Sequence, residues 1–88
     1  MEPRRIRLYG RPACTLCVEA DAIVAEIVAA SHGSAVLERV DVEGDPLLHA
    51  RLFADIPALE VDGRLLTHAT SRRRIEAFLA DSRRPAAP

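Results

Sequence analysis

The only two cysteines of the chain, Cys14 and Cys17, are separated by two residues. Thiols this close can form a structural disulfide, supply half of a metal site, or act as a redox pair that alternates between dithiol and disulfide. A structural disulfide is the weakest explanation, because closing so short a loop constrains the unfolded chain little. The residues around the pair must decide between metal binding and redox chemistry.

Metal binding requires further ligands, since a structural zinc site usually takes its four ligands from two closely spaced pairs. The three histidines, His32, His49 and His68, have no paired spacing and fall in different predicted elements. A CxxC pair within a strand–helix–strand pattern is typical of a redox-active dithiol. Redox chemistry is therefore the favoured interpretation, and a zinc site is the alternative.

The predicted position of Cys14 is the first turn of a helix. Unpaired N–H groups and a partial positive charge there favour a thiolate over a thiol. At its reference pKa of about 8.5 a thiol is only about 3% ionised at pH 7, and lowering that pKa by about 1.5 units raises the fraction to about half. The guanidinium of Arg11 adds to this effect if it turns toward the sulfur. Cys17 lies one turn further on the same side, so we expect Cys14 to attack a substrate disulfide and Cys17 to resolve the mixed disulfide.

Apolar periodicity and turn residues predict the elements that hold the cysteines. The predicted strands are 5–9, 35–42, 58–61 and 64–67, and the predicted helices run from 16 to the turn at 31–34, from 46 to about 53 and from 71 to about 80. The first helix carries an apolar stripe of Leu16, Ala20, Ile23, Val24, Ile27 and Val28.

Turn residues set the predicted boundaries. We expect Gly33 to cap the first helix in a left-handed conformation, and Asp45 with Pro46 to begin the second. Asp62-Gly63 is a strong hairpin signal.

This pattern predicts an α/β fold with the order βαβαββα, in which a four-stranded mixed sheet is flanked by three helices. The predicted domain spans residues 1–81, and residues 82–88 (SRRPAAP) are expected to form a frayed tail.

The composition and charge of the chain limit the partners that we expect it to bind. The chain has 88 residues and a net charge of −1, which gives no electrostatic argument for nucleic acid or membrane partners. No apolar run approaches the roughly 20 residues that cross a bilayer, and the N-terminus lacks the apolar segment of a secretory signal. We therefore expect a cytoplasmic monomer whose thiols are kept reduced.

A second motif, Asp55-Ile56-Pro57, precedes the predicted third strand. Because proline cannot donate to a sheet, Pro57 marks the start of that strand. One interpretation is an ordinary turn. The other is a cis Ile56–Pro57 bond packed against the cysteines, which presents the Ile56 backbone to an extended substrate. About 5–6% of X–Pro bonds are cis, so the motif by itself leaves both open.

The segments LYGRPACTLC and DIPALEVDGRLL together resemble glutaredoxins, and especially the short bacterial glutaredoxin-like proteins with a thioredoxin fold. The resemblance covers about residues 6–79. It implies a thiol–disulfide oxidoreductase that reduces protein or glutathione mixed disulfides. Cys14 is then the nucleophile, Cys17 the resolving thiol and Pro57 a cis-proline.

The same resemblance implies a substrate site with no bound cofactor. Its contacts would come from Arg11, Thr15, Leu16, Ile56 and Pro57, and Arg11 matches a basic residue that helps the family bind glutathione.

The sequence departs from the family where glutaredoxins carry a Gly-Gly pair, because it has Thr67-His68 there. These side chains are expected to crowd glutathione, which favours a protein or another thiol as the reductant. Two alternatives remain open: a non-catalytic metal or iron–sulfur module that uses both cysteines, and a redox-inert binding domain.

Overall fold

The strands and helices of the protein follow one another in the predicted order. The computed structural model describes residues 2–81, and the predicted tail at 82–88 lies outside them. The elements are β1 (Arg4–Gly10), α1 (Thr15–Ala29), β2 (Ala35–Asp41), a 3₁₀ turn (Val42–Gly44), α2 (Pro46–Leu52), β3 (Ala58–Val61), β4 (Arg64–Leu66) and α3 (Arg72–Asp81). Among residues 2–81, no helix combines the length and the apolar character needed to span a bilayer.

The four strands form one mixed sheet, as predicted, and the structure gives their order as β2-β1-β3-β4. β1 runs parallel to β2 and antiparallel to β3, with Tyr9 paired to Val40 on one side and to Ala58 on the other. The carboxyl ends of β1 and β2 and the start of β3 therefore meet at one edge of the sheet. This edge receives the loop that leads to Cys14 and the segment that ends at Pro57.

Because successive side chains of a strand point to opposite faces, the sheet has an apolar core on each face. Ile6 and Leu8 of β1 point to the face covered by α1 and α3, whereas Tyr9 points to the face covered by α2. The first core also contains Ala20, Val24, Leu59, Val61, Ile75 and Leu79. The second contains Val42, Leu52 and Ala58.

The face that carries α2 also holds a row of charges on the strands. The guanidinium of Arg7 on β1 lies 3.3 Å from the Glu38 carboxylate on β2 and 3.5 Å from that of Glu60 on β3. Arg5, also on β1, lies 3.5 Å from the Glu38 carboxylate. The Tyr9 hydroxyl donates to the Glu60 carboxylate at 3.1 Å. Cross-strand pairs of opposite charge therefore connect three neighbouring strands on this face.

Two local predictions were wrong. Leu16 is 49% exposed, because the inward stripe of α1 is centred on Cys17, Ala20 and Val24 and leaves Leu16 on its flank. Gly33 is left-handed at φ +86°, but α1 ends at a C-cap on Ala30, whose N–H donates to Glu26. Gly33 therefore serves the turn into β2 instead of the helix end.

Other turn predictions were right. The Asp45 side chain caps α2 by accepting from the N–H groups of Leu47 and Leu48. Asp62 and Gly63 both have positive φ, at 51° and 80°, as a type I′ hairpin turn requires.

Leu59→Ala should cost about 2–5 kcal/mol of unfolding free energy, because Leu59 is fully buried between β1 and β4. Leu47→Ala makes the same chemical change on a residue that is 82% exposed, and it should change stability by about 0.5 kcal/mol at most. Urea denaturation of both variants measures the difference. Equal losses would contradict this assignment of the core.

Candidate active site

Cys14 is the N-cap of α1. Its backbone is extended, with φ −112° and ψ 106°, and its sulfur accepts a hydrogen bond from the Cys17 backbone N–H at 3.2 Å. A Ser, Thr or Asp side chain usually fills this role. The site therefore offers a sulfur anion one N–H donor together with the positive end of the helix dipole.

Cys17 lies inside the first turn, and the two cysteines form a disulfide with Cα atoms 5.2 Å apart. Cys17 is 8% exposed, whereas Cys14 is only partly buried. An incoming disulfide can therefore reach Cys14 more easily than Cys17.

The loop between β1 and α1 makes a sharp turn to bring Cys14 to this position. Ala13 sits in the left-handed region at φ 57°, a conformation that costs an L-residue roughly 1–2 kcal/mol. Strain of this kind is common beside functional residues. Here it lies immediately before the candidate nucleophile.

Gly10, at the end of β1, makes room for Cys17. A Cβ at this position would lie 3.3 Å from both the Cβ and the Sγ of Cys17. The bare backbone of Gly10 therefore lets the second sulfur approach the sheet. No local pattern in the sequence indicates this contact.

The Ile56–Pro57 peptide bond is cis, as the second interpretation of that motif requires. Pro57 is fully buried, and its register places it one residue beyond the Tyr9–Ala58 pair, beside Gly10. We call Asp55, Ile56 and Pro57 the proline edge. It flanks the cysteine pair on the β3 side.

The loop at Thr67 and His68 packs against the proline edge. The His68 N–H donates to the Asp55 carbonyl at 2.9 Å, and the Ala69 N–H donates to the Pro57 carbonyl at 2.7 Å. His68 has φ 51°, a left-handed conformation that glycine adopts without strain.

Arg74, on α3, binds the backbone of this loop. Its guanidinium donates to the carbonyls of His68 at 2.6 Å and Thr67 at 3.2 Å. Arg72 pairs with Glu26 of α1, a hydrogen bond that raises the pKa of Arg72 above its ordinary value. Two members of the arginine run 72–74 therefore make defined intramolecular contacts.

On the other side of the cysteine pair, a groove of about 580 Å³ lies between α1 and the ends of β1 and β2. Of the predicted site residues, Cys17 and Arg11 line it. Its other lining residues are Leu8, Gly10, Pro12, Val18, Asp21, Ala22, Arg39, Val40 and Asp41. We call it the β2-side groove.

An ion pair closes part of the β2-side groove. Arg39 donates from two nitrogens to the Asp21 carboxylate, the longer bond being 3.0 Å. This hydrogen bond, with the charge of Asp21, raises the pKa of Arg39. The charge of Arg39 is therefore already paired with that of Asp21.

Possible metal ligands do not gather anywhere in residues 2–81, where no three side chains among His, Cys, Asp and Glu are placed to hold an ion together. Within these residues, His32, His49 and His68 form no such group with the cysteines. The described part of the chain therefore supplies no third protein ligand for a metal ion held by Cys14 and Cys17.

A CxxC pair at a helix N-terminus, beside a cis-proline at the edge of a four-stranded mixed sheet, defines the thioredoxin-like class of proteins. Comparison with known families is more specific. The glutaredoxin-like domain family (DUF836) matches residues 5–80. The chain belongs to this family. No curated protein matches the chain.

Solved structures agree with this assignment. The X-ray structure of target protein XcR50 from X. campestris is 25% identical, with a TM-score of 0.67, and the match covers 94% of this chain and 99% of that one. Protein Ne2328 from Nitrosomonas europaea is 26% identical, with a TM-score of 0.64, over 89% of this chain and 93% of that one. The thioredoxin-like protein BC3987 is 25% identical, with a TM-score of 0.55, over 82% and 96% of the two chains.

Gly10→Ala should slow closure of the Cys14–Cys17 disulfide about 10-fold, because the new methyl group displaces the Cys17 sulfur from its attacking position. Reduced protein is mixed with oxidised glutathione, quenched with acid and analysed by mass spectrometry. The mixed disulfide on Cys14 should accumulate in the variant.

Gly44→Ala is the matched control, since a Cβ there meets nothing within 4 Å, and it should close at the wild-type rate. Equal closure rates for Gly10→Ala and wild type would show that Gly10 does not position Cys17.

Proposed function

We propose that this protein is a thiol–disulfide oxidoreductase that reduces disulfides in proteins or mixed disulfides with glutathione. One observation carries the proposal: the Cys14 sulfur is the N-cap of α1, where it accepts the Cys17 N–H at 3.2 Å and bonds to the buried Cys17 sulfur. That arrangement serves both halves of a disulfide exchange.

In the first half, the Cys14 thiolate attacks one sulfur of the substrate disulfide. A bond forms between Cys14 and that sulfur, the substrate S–S bond breaks, and the other substrate sulfur leaves as a thiolate that takes a proton from water. The helix N-terminus supports this step because it keeps a fraction of Cys14 ionised.

In the second half, Cys17 loses its proton to solvent and attacks the Cys14 sulfur. The Cys14–Cys17 disulfide forms and the remaining substrate sulfur leaves as a thiolate. Two electrons have then passed from the dithiol to the substrate. A dithiol, or two monothiols, restores the reduced protein by the reverse exchange.

The proline edge supplies a second contact for the substrate. The Ile56 backbone N–H and C=O make no hydrogen bond within residues 2–81, and they lie at the sheet edge that holds the cysteines. We propose that they pair with an extended segment of the substrate, as strand addition does elsewhere. The exposed side chains of Thr15 and Leu16 face the same incoming chain.

The proposed reductant is a thiol or dithiol that does not bind at the loop of Thr67 and His68. Arg74 already occupies the carbonyls of this loop, and side chains stand where the glutaredoxin pattern has glycines. The proposed compartment is the cytoplasm, where thiols are kept reduced. The protein is proposed to act there as a monomer.

The Cys17→Ser variant should trap a mixed disulfide on Cys14, because no second thiol releases the bound substrate. The Cys14→Ser variant should not react, because Cys17 is buried. Mass spectrometry after incubation with a disulfide peptide measures both. Equal trapping by the two variants would remove this assignment of roles. Stoichiometric metal in gently purified protein would favour a metal or iron–sulfur module instead.

In the Cys17→Ser variant, alkylation of Cys14 by iodoacetamide should reach half its maximal rate near pH 7. An ordinary thiol does so at about 8.5. The rate rises with pH because only the thiolate reacts, and the helix N-terminus moves the curve to lower pH. The same variant unfolded in urea is the control and should return to about 8.5. Coinciding folded and unfolded curves would indicate a redox-inert thiol.

A further inference from the structure

The β2-side groove plays no part in the chemistry above, yet Cys17 lines it. Its apolar lining includes Leu8, Pro12, Val18 and Ala22, which lie on β1, on the loop after it and on α1. Its volume of about 580 Å³ falls within the range of specific ligand pockets. A groove of this character accepts an aliphatic side chain better than a polar one.

The charged residues that line the groove indicate which substrate group binds beside the aliphatic side chain. Arg39 is neutralised by Asp21, and the Asp41 carboxylate caps the 3₁₀ turn by accepting the Glu43 N–H at 2.9 Å. Arg11 makes no ion pair or side-chain hydrogen bond within residues 2–81. It is therefore the lining cation available to a ligand, and it complements a carboxylate.

The groove and the proline edge lie on opposite sides of the cysteine pair. In the strand order β2-β1-β3-β4, the proline edge belongs to β3 and the groove to β2, while β1 leads to Cys14 between them. A substrate chain bonded to Cys14 can reach both sides with its neighbouring residues, because each extended residue spans about 3.3–3.6 Å. Small disulfides have no residues to place in the groove.

We propose that the β2-side groove binds an aliphatic side chain next to the reactive cysteine of a protein substrate, with an acidic side chain of that substrate on Arg11. The proposal rests on the proposed oxidoreductase function and names its substrate class: protein disulfides flanked by an aliphatic and an acidic residue.

The test compares rates for related disulfides under single-turnover conditions with reduced protein. Short cysteine peptides are coupled to nitrothiobenzoate, so that attack on the peptide sulfur releases a coloured thiolate. One peptide has Leu and Asp beside its cysteine, a second has Gly and Asp, and a third has Leu and Asn. The nitrothiobenzoate disulfide of mercaptoethanol is the small reference.

Wild type should react about 10-fold faster with the Leu-Asp peptide than with the Gly-Asp peptide, a ratio that burial of one aliphatic side chain supports. Ala22→Trp fills the groove and should reduce this ratio to about twofold or less. Ala29→Trp makes the same change on an exposed position of α1 outside the groove and should keep the wild-type ratio.

The charge is tested separately. Wild type should prefer the Asp peptide to the Asn peptide by about threefold, as expected for a partly exposed ion pair. Arg11→Gln should abolish that preference, whereas Arg73→Gln, on exposed α3, should retain it. Circular dichroism confirms that each variant is folded.

The outcomes separate the two proposals. If wild type reacts with no peptide and not with the small reference, the oxidoreductase function fails. If all four disulfides react at similar rates, or if the leucine preference survives Ala22→Trp, the groove proposal is overturned and the oxidoreductase function stands.

Discussion

The hydrogen bond from the Cys17 backbone N–H to the Cys14 sulfur is the interaction on which the site depends. It makes a cysteine the cap of α1, so the same contact that begins the helix also places the sulfur in the positive field of its N-terminus. The partner sulfur follows from this geometry, because a residue three positions later lies one turn away on the same side. The proposed reactivity of Cys14 and the start of α1 therefore depend on one contact.

The sheet brings the remaining parts of the site to this contact. Because β1 is parallel to β2 and antiparallel to β3, one edge collects the end of two strands and the start of a third. The cysteines occupy the centre of that edge, the proline edge lies on the β3 side and the β2-side groove on the other. Gly10 connects these parts, since it ends β1 and leaves the space that Cys17 fills.

Local patterns were sufficient to predict most of the elements. Asp45 with Pro46, and Asp62 with Gly63, specify their turns through backbone and side-chain chemistry that acts within a few residues. Leu16 and Gly33 were misassigned because each choice depends on contacts beyond the segment. The exposure of Leu16 depends on how α1 is rotated on the sheet, and the end of α1 at Ala30 depends on where β2 begins.

The site was predictable only in part for the same reason. The spacing of Cys14 and Cys17 indicated that their sulfurs can reach each other, and the resemblance to glutaredoxins implied a cis-proline that the motif alone left open. The space around Cys17 at Gly10, the hold of Arg74 on the loop at Thr67, and the ion pair of Arg39 with Asp21 join residues far apart in sequence. No periodicity or motif records such contacts.

The row of charges on the α2 face has a consequence for how the strands align. Arg7 meets a glutamate on each neighbouring strand. Because side chains alternate between faces, sliding β2 or β3 by one residue would turn Glu38 or Glu60 into the aliphatic core beneath α1 and leave Arg7 with one counterion instead of two. The ion pairs are weak as sources of stability, yet a one-residue slip would bury one of these carboxylates, so the charges favour the alignment that brings the cysteines and the proline edge together.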